Sequence, residues 1–506
     1  MDRRSFIRSG AWTALLLPRY SSNLLAAPRF TTDPFLGGIA SGDPLPDGVV
    51  LWTRLMPDPK QDAPWQRERV EVDWVVATDE KLAHVVKRGK DRATPDLGHS
   101  IHVDVRGLDA DREYWYQFRA GAASSLTGRT RTAPKAAVDQ IKFAFASCQH
   151  FEQGFYTAYQ HMIREEPRLI IHLGDYIYEG PGRDKLPRRH TGAEIKSLSD
   201  YRARYALYRT DTDLREAHRL FPWIVTWDDH EVDNNYAGDI PEDSQTRQEF
   251  LERRANAYQA YYEAMPLRTS SVPHGSSMLL YRRLSYGPMA AFWVLDTRQY
   301  RTDQPCGDGD KPPCPEMFRP DSTMFGPAQE RWLTEGLASS RAKWNILCNQ
   351  VMMAKIDRDG GPGERYPMDQ WSGYEAARVR FMNFLADRKP SNPIVITGDV
   401  HSSWAAHLRT DFRDEKKPVA AVEFTGTSIS SGGDGVDLPE RTAAYLGDNP
   451  HVKFHNAKRG YVTCQVSAHR MQAHYRAVDR VTTPGGVVST KASFTVADGR
   501  PGLEKA

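Results

Sequence analysis

The feature that most constrains the fold is a short apolar run, Ile224 to Trp227, that ends abruptly in the polar block Asp228 to Asn235. Burying so many polar groups at a strand end without partners carries a high free-energy cost. Bound metal ions or a phosphate ester would offset that cost. Three other apolar runs end similarly, in Ser147-Cys148-Gln149, Gly174-Asp175-Tyr176-Ile177-Tyr178 and Gly398-Asp399-Val400-His401.

Strand-like and helix-like patterns alternate along the rest of the chain, which is typical of an α/β domain. The strands that matter most are predicted at Ile141 to Ser147, Leu169 to Leu173, Ile224 to Trp227, Pro393 to Thr397 and Tyr461 to Val466. In open α/β sheets, ligands bind outside the carboxyl ends of the strands, so the four polar ends are expected to converge. Gly174 and Gly398 would allow the tight turns that this requires. We assign this domain to residues 140–490 and a C-terminal tail to residues 491–506.

Residues 35–134 are predicted to form a separate all-β domain. Val70, Val72, Trp74 and Val76 alternate with other residues, the period of a half-buried strand. Further strands at regular spacing favour a β-sandwich of the immunoglobulin or fibronectin type. Because no catalytic constellation occurs here, we interpret the domain as a packing or presentation module.

The N-terminus has the pattern of a targeting segment. Arg3-Arg4-Ser5-Phe6-Ile7 is a twin-arginine motif, and a short apolar run from Ala11 to Leu17 is followed by the small residues Ala26-Ala27. This predicts a Tat signal at residues 1–27, the Tat export machinery as a partner, and a periplasmic or secreted protein. A disordered basic tail is the alternative. The apolar run is too short to be a transmembrane segment.

Charge and cysteine content restrict the function further. The 506 residues carry a net charge of +2, so no basic field indicates a nucleic-acid-binding module. Cys306 and Cys314 flank a loop rich in Gly, Asp and Pro, and they could form a disulfide in an oxidising compartment.

The residue types at the strand ends suggest which metals could bind. Asp175 could bridge two metals, because a carboxylate has two oxygens. A thiolate at Cys148 and a phenolate at Tyr178 favour iron, whereas Asp228, Asp229 and Asp399 could hold a harder ion. Two alternatives remain open: Cys148 as a buried thiol, and Tyr178 as a packed aromatic hydrogen-bonded to Asp175.

Taken together, the motifs resemble those of a known family. They are Phe145-Ala146-Ser147-Cys148-Gln149, Leu173-Gly174-Asp175-Tyr176-Ile177-Tyr178, Trp227-Asp228-Asp229-His230-Glu231-Val232-Asp233-Asn234-Asn235, Leu295-Asp296-Thr297-Arg298-Gln299-Tyr300-Arg301 and Gly398-Asp399-Val400-His401. The chain resembles the PhoD-like alkaline phosphatase/phosphodiesterase family, within the purple-acid-phosphatase-like metallophosphoesterases. The resemblance covers nearly the whole chain, including the twin-arginine segment and the β-type N-terminal domain.

The resemblance implies a four-layer αββα core whose site contains iron and one or two calcium ions. Cys148, Asp175 and Tyr178 would hold iron. Asp175, Asp229 and Asp399 would serve calcium, with His401 near the metals. Asp228 and Asn234 are less determined, because a motif does not say which of several adjacent polar groups turns inward.

The resemblance also implies roles in catalysis. His230 aligns with the acid histidine of the superfamily, and His230, Asp175 and Arg298 are the catalytic candidates. Arg298 and Arg301 are candidates for phosphate contact, since a guanidinium fork matches phosphate geometry, and Asn234 is a third substrate-binding candidate. Structural ion pairs of the two arginines with Asp296 or Asp303 are the alternative.

The resulting hypothesis is an exported, metal-dependent phosphoesterase that acts on small phosphorylated substrates as a monomer. A metal-activated hydroxide would attack phosphate mono- or diesters, and His230 would assist the leaving group. A phospholipase D-type phosphodiesterase is an alternative within this class. A non-catalytic metalloprotein that binds phosphate esters and an iron-dependent redox enzyme are the rivals from other classes.

Overall fold

The structure is a computed structural model that describes residues 30–56 and 64–506. The predicted Tat signal at residues 1–27 lies outside the described residues. Within the described ranges, no helix is both long enough and apolar enough to cross a bilayer.

The N-terminal domain consists of two antiparallel sheets. Its strands are β1 (Ile39–Leu45), β2 (Gly48–Arg54), β3 (Val70–Ala77), β4 (Val85–Ala93), β5 (Ser100–Arg106), β6 (Glu113–Ala120), β7 (Ala123–Ser124) and β8 (Gly128–Arg131). One sheet contains β1, β2 and β5, and the other contains β4, β3 and β6, with β7 and β8 paired to β6. Alternate apolar side chains of both sheets, such as Leu51, Val72 and Tyr116, form one core. The prediction of an all-β N-terminal domain is confirmed.

The remainder of the chain alternates strands and helices. The helices are α1 (Thr157–Arg164), α2 (Leu198–Tyr208), α3 (Thr212–Leu220), α4 (Arg247–Ala264), α5 (Gly326–Ala338), α6 (Glu375–Arg388) and α7 (Glu440–Leu446). The strands are β9 (Gln140–Ala146), β10 (Leu169–His172), β11 (Pro222–Val225), β12 (Arg282–Tyr286), β13 (Ala290–Val294), β14 (Asp310–Lys311), β15 (Trp344–Cys348), β16 (Tyr366–Pro367), β17 (Pro393–Thr397), β18 (Ser403–Arg409), β19 (Val419–Thr425), β20 (Gly435–Val436), β21 (Val452–Ser467), β22 (Arg470–Val478), β23 (Val488–Ala497) and β24 (Arg500–Lys505).

Two sheets form the centre of this domain. In the first, β11, β10 and β9 are parallel neighbours, and β21, β22, β23 and β24 continue it in antiparallel fashion. In the second, β13, β15, β17 and β19 are parallel, with β12 and β18 antiparallel at its two sides. The long strand β21 links the sheets, because its first half pairs with β18 and its second half with β9.

Buried apolar side chains separate the layers. Phe143 and Ile171 from the first sheet meet Phe292 and Ile346 from the second in the central core. Helices α1 to α4 cover the outer face of the first sheet, and α5 and α6 cover that of the second. The domain therefore has the predicted four-layer αββα arrangement, in which the carboxyl ends of the parallel strands present their loops on one side.

The structure departs from the predicted domain boundaries at two places. Strand β1 pairs in parallel with β11, so a sheet of the N-terminal domain continues directly into the first sheet of the larger domain. Residues 491–506, which we assigned to a tail, contain most of β23 and all of β24. Phe494 and Val496 alternate with polar residues there and are buried, so the segment pairs with β22 instead of extending into solvent.

Candidate metal centre

The four polar strand ends approach one another closely. Cys148 N–H donates to Gly174 O over 3.1 Å, which joins the loops after β9 and β10. A Cβ at Gly174, where φ is +114°, would lie 2.5 Å from the backbone nitrogen of Asp228. A Cβ at Gly398 would lie 2.3 Å from Ser147 Oγ. Both glycines are thus required for the close approach of these loops.

Several metal-ligand candidates have a backbone conformation that side chains rarely adopt. The φ angles are +59° at Cys148, +55° at Asp175, +65° at Asp399 and +53° at His401. Non-glycine residues in the left-handed region persist only where the surroundings impose that conformation, and they concentrate at functional sites.

One group of ligand atoms has mixed chemistry. Single ligand atoms of Cys148, Asp175 and His401 lie within 4.8 Å of one another. The hydroxyl of Tyr178 donates to Asp175 Oδ2 over 2.8 Å and lies 3.1 Å from His401 Nε2. The structure therefore brings together a thiol, a phenol, an imidazole and a carboxylate, all four predicted from the strand ends.

A second group is built from oxygen ligands and histidine. Asp175 and Asp229 approach each other and His230 within 4.8 Å, so Asp175 belongs to both groups. Asn235 N–H donates to Asp229 Oδ2 over 2.8 Å. The bridging of two ions by Asp175 stays a prediction.

Arg298 occupies the centre of the acidic side. Its fully buried guanidinium bonds Asp228 Oδ1 at 2.5 Å and both oxygens of Asp369 at 2.8 and 3.0 Å. It also lies 3.7 Å from Asp229 and 3.6 Å from Asp399. These partners differ from the ion pairs with Asp296 or Asp303 that the sequence left open.

Arg301 and Asn234 lie at the edge of the same region. Arg301 forms an ion pair with Asp369. The sequence analysis did not identify Asp369 as a site residue, because it follows the short strand β16 in an isolated Met-Asp-Gln stretch. Asn234 N–H donates to Glu179 Oε1 over 3.0 Å, and its side chain donates to Glu242. A role of these residues in substrate binding stays a prediction.

His230 lies among carboxylates that favour its protonated form. Its Nδ1 lies 2.7 Å from Glu179 Oε2, and its ring packs 4.2 Å from that of Tyr178. Burial opposes protonation, but the carboxylates of Glu179, Asp229 and Asp175 raise the pKa of His230 well above its usual value. The imidazole can therefore carry a proton at neutral pH. Glu179 was also missed, although it directly follows Tyr178.

Glu231 connects the two acidic loops. Its carboxylate accepts the backbone N–H groups of Asp175, Tyr176 and Asp228 over 3.1, 2.5 and 2.8 Å. Burial nevertheless raises its pKa to about 7. The sequence analysis included Glu231 in a motif without giving it a role, since backbone amides leave no signal in a sequence.

Three carboxylate oxygens of the centre are not satisfied by the protein itself. Asp175 Oδ1, Asp228 Oδ2 and Asp229 Oδ1 are buried and have no hydrogen-bond partner in the described part of the chain. Burial raises the pKa values of the Asp175 carboxyl, the Cys148 thiol and the Tyr178 phenol well above their usual ranges. Buried groups of this kind are costly unless a cation compensates them.

The predicted pairing of Cys306 and Cys314 is present as a disulfide, with a Cα–Cα distance of 5.9 Å. It closes a loop beside the acidic side of the centre, where Asp308 Oδ2 accepts from Asn235 Nδ2 over 2.7 Å.

Comparison with known proteins relates this arrangement to a family. The family model described as PhoD-like phosphatase matches residues 143–475, and the model described as PhoD-like phosphatase, N-terminal domain, matches residues 21–134. Alkaline phosphatase D of Bacillus subtilis (strain 168) is 48% identical over 520 residues, covering 100% of this chain and 89% of that protein. A solved structure titled "Structure of PhoD" superposes with a TM-score of 0.92 at 49% identity, covering 95% of this chain and 93% of that chain.

Proposed function

Because the chain belongs to the PhoD-like phosphatase family, we propose that it is an exported phosphoesterase whose site binds iron and calcium. Its enzyme class is a hydrolase of phosphoric ester bonds. The finer statements, namely the metals, the site residues and export through a Tat signal, are part of the proposal.

The observation that carries the metal assignment is the set of unpartnered carboxylate oxygens on Asp175, Asp228 and Asp229. An all-oxygen environment suits calcium, which would be held by Asp175, Asp229 and Asp399, with Asp228 beside them. The mixed donors Cys148, Tyr178, Asp175 and His401 suit iron. When bound, the ions would activate water and neutralise charge that develops on the phosphoryl oxygens.

The chain's own residues supply the remaining functions. His230, protonated and oriented by Glu179, lies beside Asp175 and can donate its proton to the leaving-group oxygen. Arg298 holds Asp228 and Asp369 in fixed orientations and balances their charge. Arg301 and Asn234 are the proposed contacts for the substrate at the edge of the site.

Small phosphorylated esters are the proposed substrates, and the protein is proposed to act as a monomer. Monoesters and diesters, including those cleaved by phospholipase D-type enzymes, share the chemistry that this site offers. A non-catalytic role is disfavoured because the chain is 48% identical, over its whole length, to alkaline phosphatase D of Bacillus subtilis (strain 168).

Metal analysis combined with a paired hydrolysis assay tests the proposal. We expect protein purified without added metal to contain iron and calcium, and to hydrolyse 4-nitrophenyl phosphate, bis(4-nitrophenyl) phosphate or both. A visible charge-transfer band is expected from thiolate and phenolate donation to ferric iron. It should weaken in Cys148→Ser and Tyr178→Phe and be lost in Asp175→Asn, whereas Cys348→Ala, at a buried free cysteine in the central core, serves as the control.

Two results would overturn parts of this proposal. Full activity with zinc as the sole metal would contradict the assignment of iron and calcium. Unchanged iron content, colour and rate in both Cys148→Ser and Tyr178→Phe would show that these side chains are core residues.

A further inference from the structure

We infer that the disulfide-closed loop 306–314 positions the metal ligand Asp229, with Asp308 and Asn235 as the positioning residues. This inference rests on the proposed metal site. It concerns how tightly the oxygen-rich side of that site binds its cation.

The loop is held in a conformation that it would not keep unaided. Cys306, Gly307, Asp308 and Gly309 have consecutive φ angles of +59°, +73°, +58° and +71°. For the two non-glycine residues this left-handed conformation is unfavourable, so outside constraints must maintain it. The Cys306–Cys314 disulfide is one constraint, and the bond from Cys306 N–H to Glu316 Oε2, at 2.6 Å, is another.

A chain of hydrogen bonds leads from the loop to the ligand. Asp308 Oδ2 accepts from the Asn235 side chain over 2.7 Å, and Asn235 N–H donates to Asp229 Oδ2 over 2.8 Å. This second bond satisfies one oxygen of Asp229. The other oxygen, Oδ1, has no hydrogen-bond partner within residues 30–56 and 64–506 and lies 3.7 Å from the Arg298 guanidinium, so it is the oxygen left to bind a cation.

The loop is also hydrogen-bonded to the segment that contains Asp369. Gly309 O accepts Met368 N–H over 2.9 Å, and β14 pairs with β16 immediately before Asp369. Gln304, two residues before the loop, also donates through Nε2 to Asn235 O at 2.5 Å and to Asp369 Oδ1 at 2.9 Å. Asp369 in turn fixes Arg298, so the loop constrains Asp229 and its charged surroundings together.

The mixed-donor side of the centre has different supports. Ser431 Oγ lies 2.7 Å from both Tyr178 Oη and Cys148 O, and Cys148 N–H bonds Gly174 O. In the described residues, the loop makes no hydrogen bond to Cys148, Asp175, Tyr178 or His401. Loosening the loop should therefore weaken the calcium side selectively.

Four variants test this inference. The double variant Cys306→Ser/Cys314→Ser removes the disulfide that closes the loop. Asp308→Leu removes the acceptor, and Asn235→Gly the donor, of the hydrogen bond between these two side chains. Glycine tolerates the φ of +50° at position 235 and retains the backbone N–H, so only the tether is lost. Asp308→Asn retains an acceptor oxygen and should rescue the effect. Asp321→Leu, at an exposed acid nearby, is the matched control.

The measurement is titration of metal-depleted protein with calcium alone, together with iron content, the visible band and the thermal midpoint. We expect calcium to bind at least about tenfold more weakly in the double variant, in Asp308→Leu and in Asn235→Gly, with iron content and colour unchanged. Asp308→Asn and Asp321→Leu should match the wild-type protein.

Three results would decide against the inference. Wild-type calcium affinity in all of the loop variants would overturn it while leaving the proposed function intact. Equal loss of iron and calcium with a lowered thermal midpoint would indicate a general structural role instead. A wild-type protein that binds no calcium would overturn the metal assignment itself.

Discussion

At the scale of single residues, His230 can be tested separately from the metals. If His230 donates a proton to the leaving group, its loss should matter most for substrates with poor leaving groups. We expect His230→Asn to lower kcat for an alkyl phosphate by about 10²–10⁴-fold, the usual contribution of general acid catalysis, and to affect 4-nitrophenyl phosphate far less.

The measurement is kcat for both esters in wild type, His230→Asn and Glu179→Gln. Asn retains a donor toward Glu179, while Glu179→Gln removes the charge that favours the protonated ring. Equal losses on both substrates would assign His230 to metal or phosphate binding instead of proton transfer.

Sequence reasoning identified residues whose chemical type is distinctive, and it missed those whose role depends on a distant partner. Cys148, Tyr178 and His401 stood out because a thiol, a phenol and an imidazole at strand ends are unusual. Asp369 did not, because only the fold places it beside Arg298, 71 residues away in the chain. For the same reason, the sequence could not tell whether Arg298 faces a substrate or four carboxylates.

At the scale of elements, Glu423 on β19 supports the loops that surround the centre. Its carboxylate accepts N–H groups of Met353 and Ala354 over 2.8 and 2.7 Å and the hydroxyl of Thr397, the residue before Gly398, over 3.0 Å. Burial raises the pKa of Glu423 from 4.5 to about 7. The folded protein therefore binds this proton more tightly than the unfolded chain does.

The consequence is a stability that falls with pH. The contribution of the Glu423 proton is fully present below pH 4.5 and is lost as pH rises through about 7. At about 1.4 kcal/mol per pH unit, the free energy of unfolding of wild type relative to Glu423→Gln should fall by up to about 3 kcal/mol across this window. Urea unfolding of both proteins at pH 4.5 and 7.5 measures it, and parallel pH profiles would contradict it.

Strands that end in a motif were located with different accuracy: the predicted Ile224 to Trp227 lies two residues later than β11, because Thr226 and Trp227 already belong to the loop before Asp228. The predicted Leu169 to Leu173 and Pro393 to Thr397 match β10 and β17 within one residue. Only Tyr461 to Val466 was predicted within the longer β21, because Lys453, His455 and Lys458 interrupt the apolar pattern in its first half. That half forms a strand because β18 pairs with it, which local sequence does not encode.

At the scale of the whole molecule, the two predicted domains are less separate than the sequence suggested. The strand pattern of residues 35–134 predicted a β-sandwich, but the pairing of β1 with β11 joins it to the first sheet of the larger domain. This pairing could not be predicted, because Ser41 and Gly42 meet Pro222 and Trp223 across about 180 residues of chain. As a result, the N-terminal domain supports the strand that leads into Asp228 and Asp229.

The ion pair between Asp43 and Arg282 provides a test of this coupling. Asp43 is buried, and both of its oxygens accept from the Arg282 guanidinium at 2.6–3.1 Å. The same guanidinium donates to Val225 O, at the end of β11, over 3.1 Å. Asp43→Ala would leave a poorly solvated arginine beside the strand that carries the acidic block.

We expect Asp43→Ala to lower the free energy of unfolding by about 3 kcal/mol, as when one partner of a buried ion pair is removed. Asp47→Ala is the matched control, because Asp47 pairs with Arg106 in an exposed position, where about 0–1 kcal/mol is typical. Urea unfolding measures both.

If the N-terminal domain only packs against the catalytic domain, Asp43→Ala should resemble Asp47→Ala. If it holds β11 in place, calcium affinity should fall together with stability, since Asp228 and Asp229 follow directly after this strand.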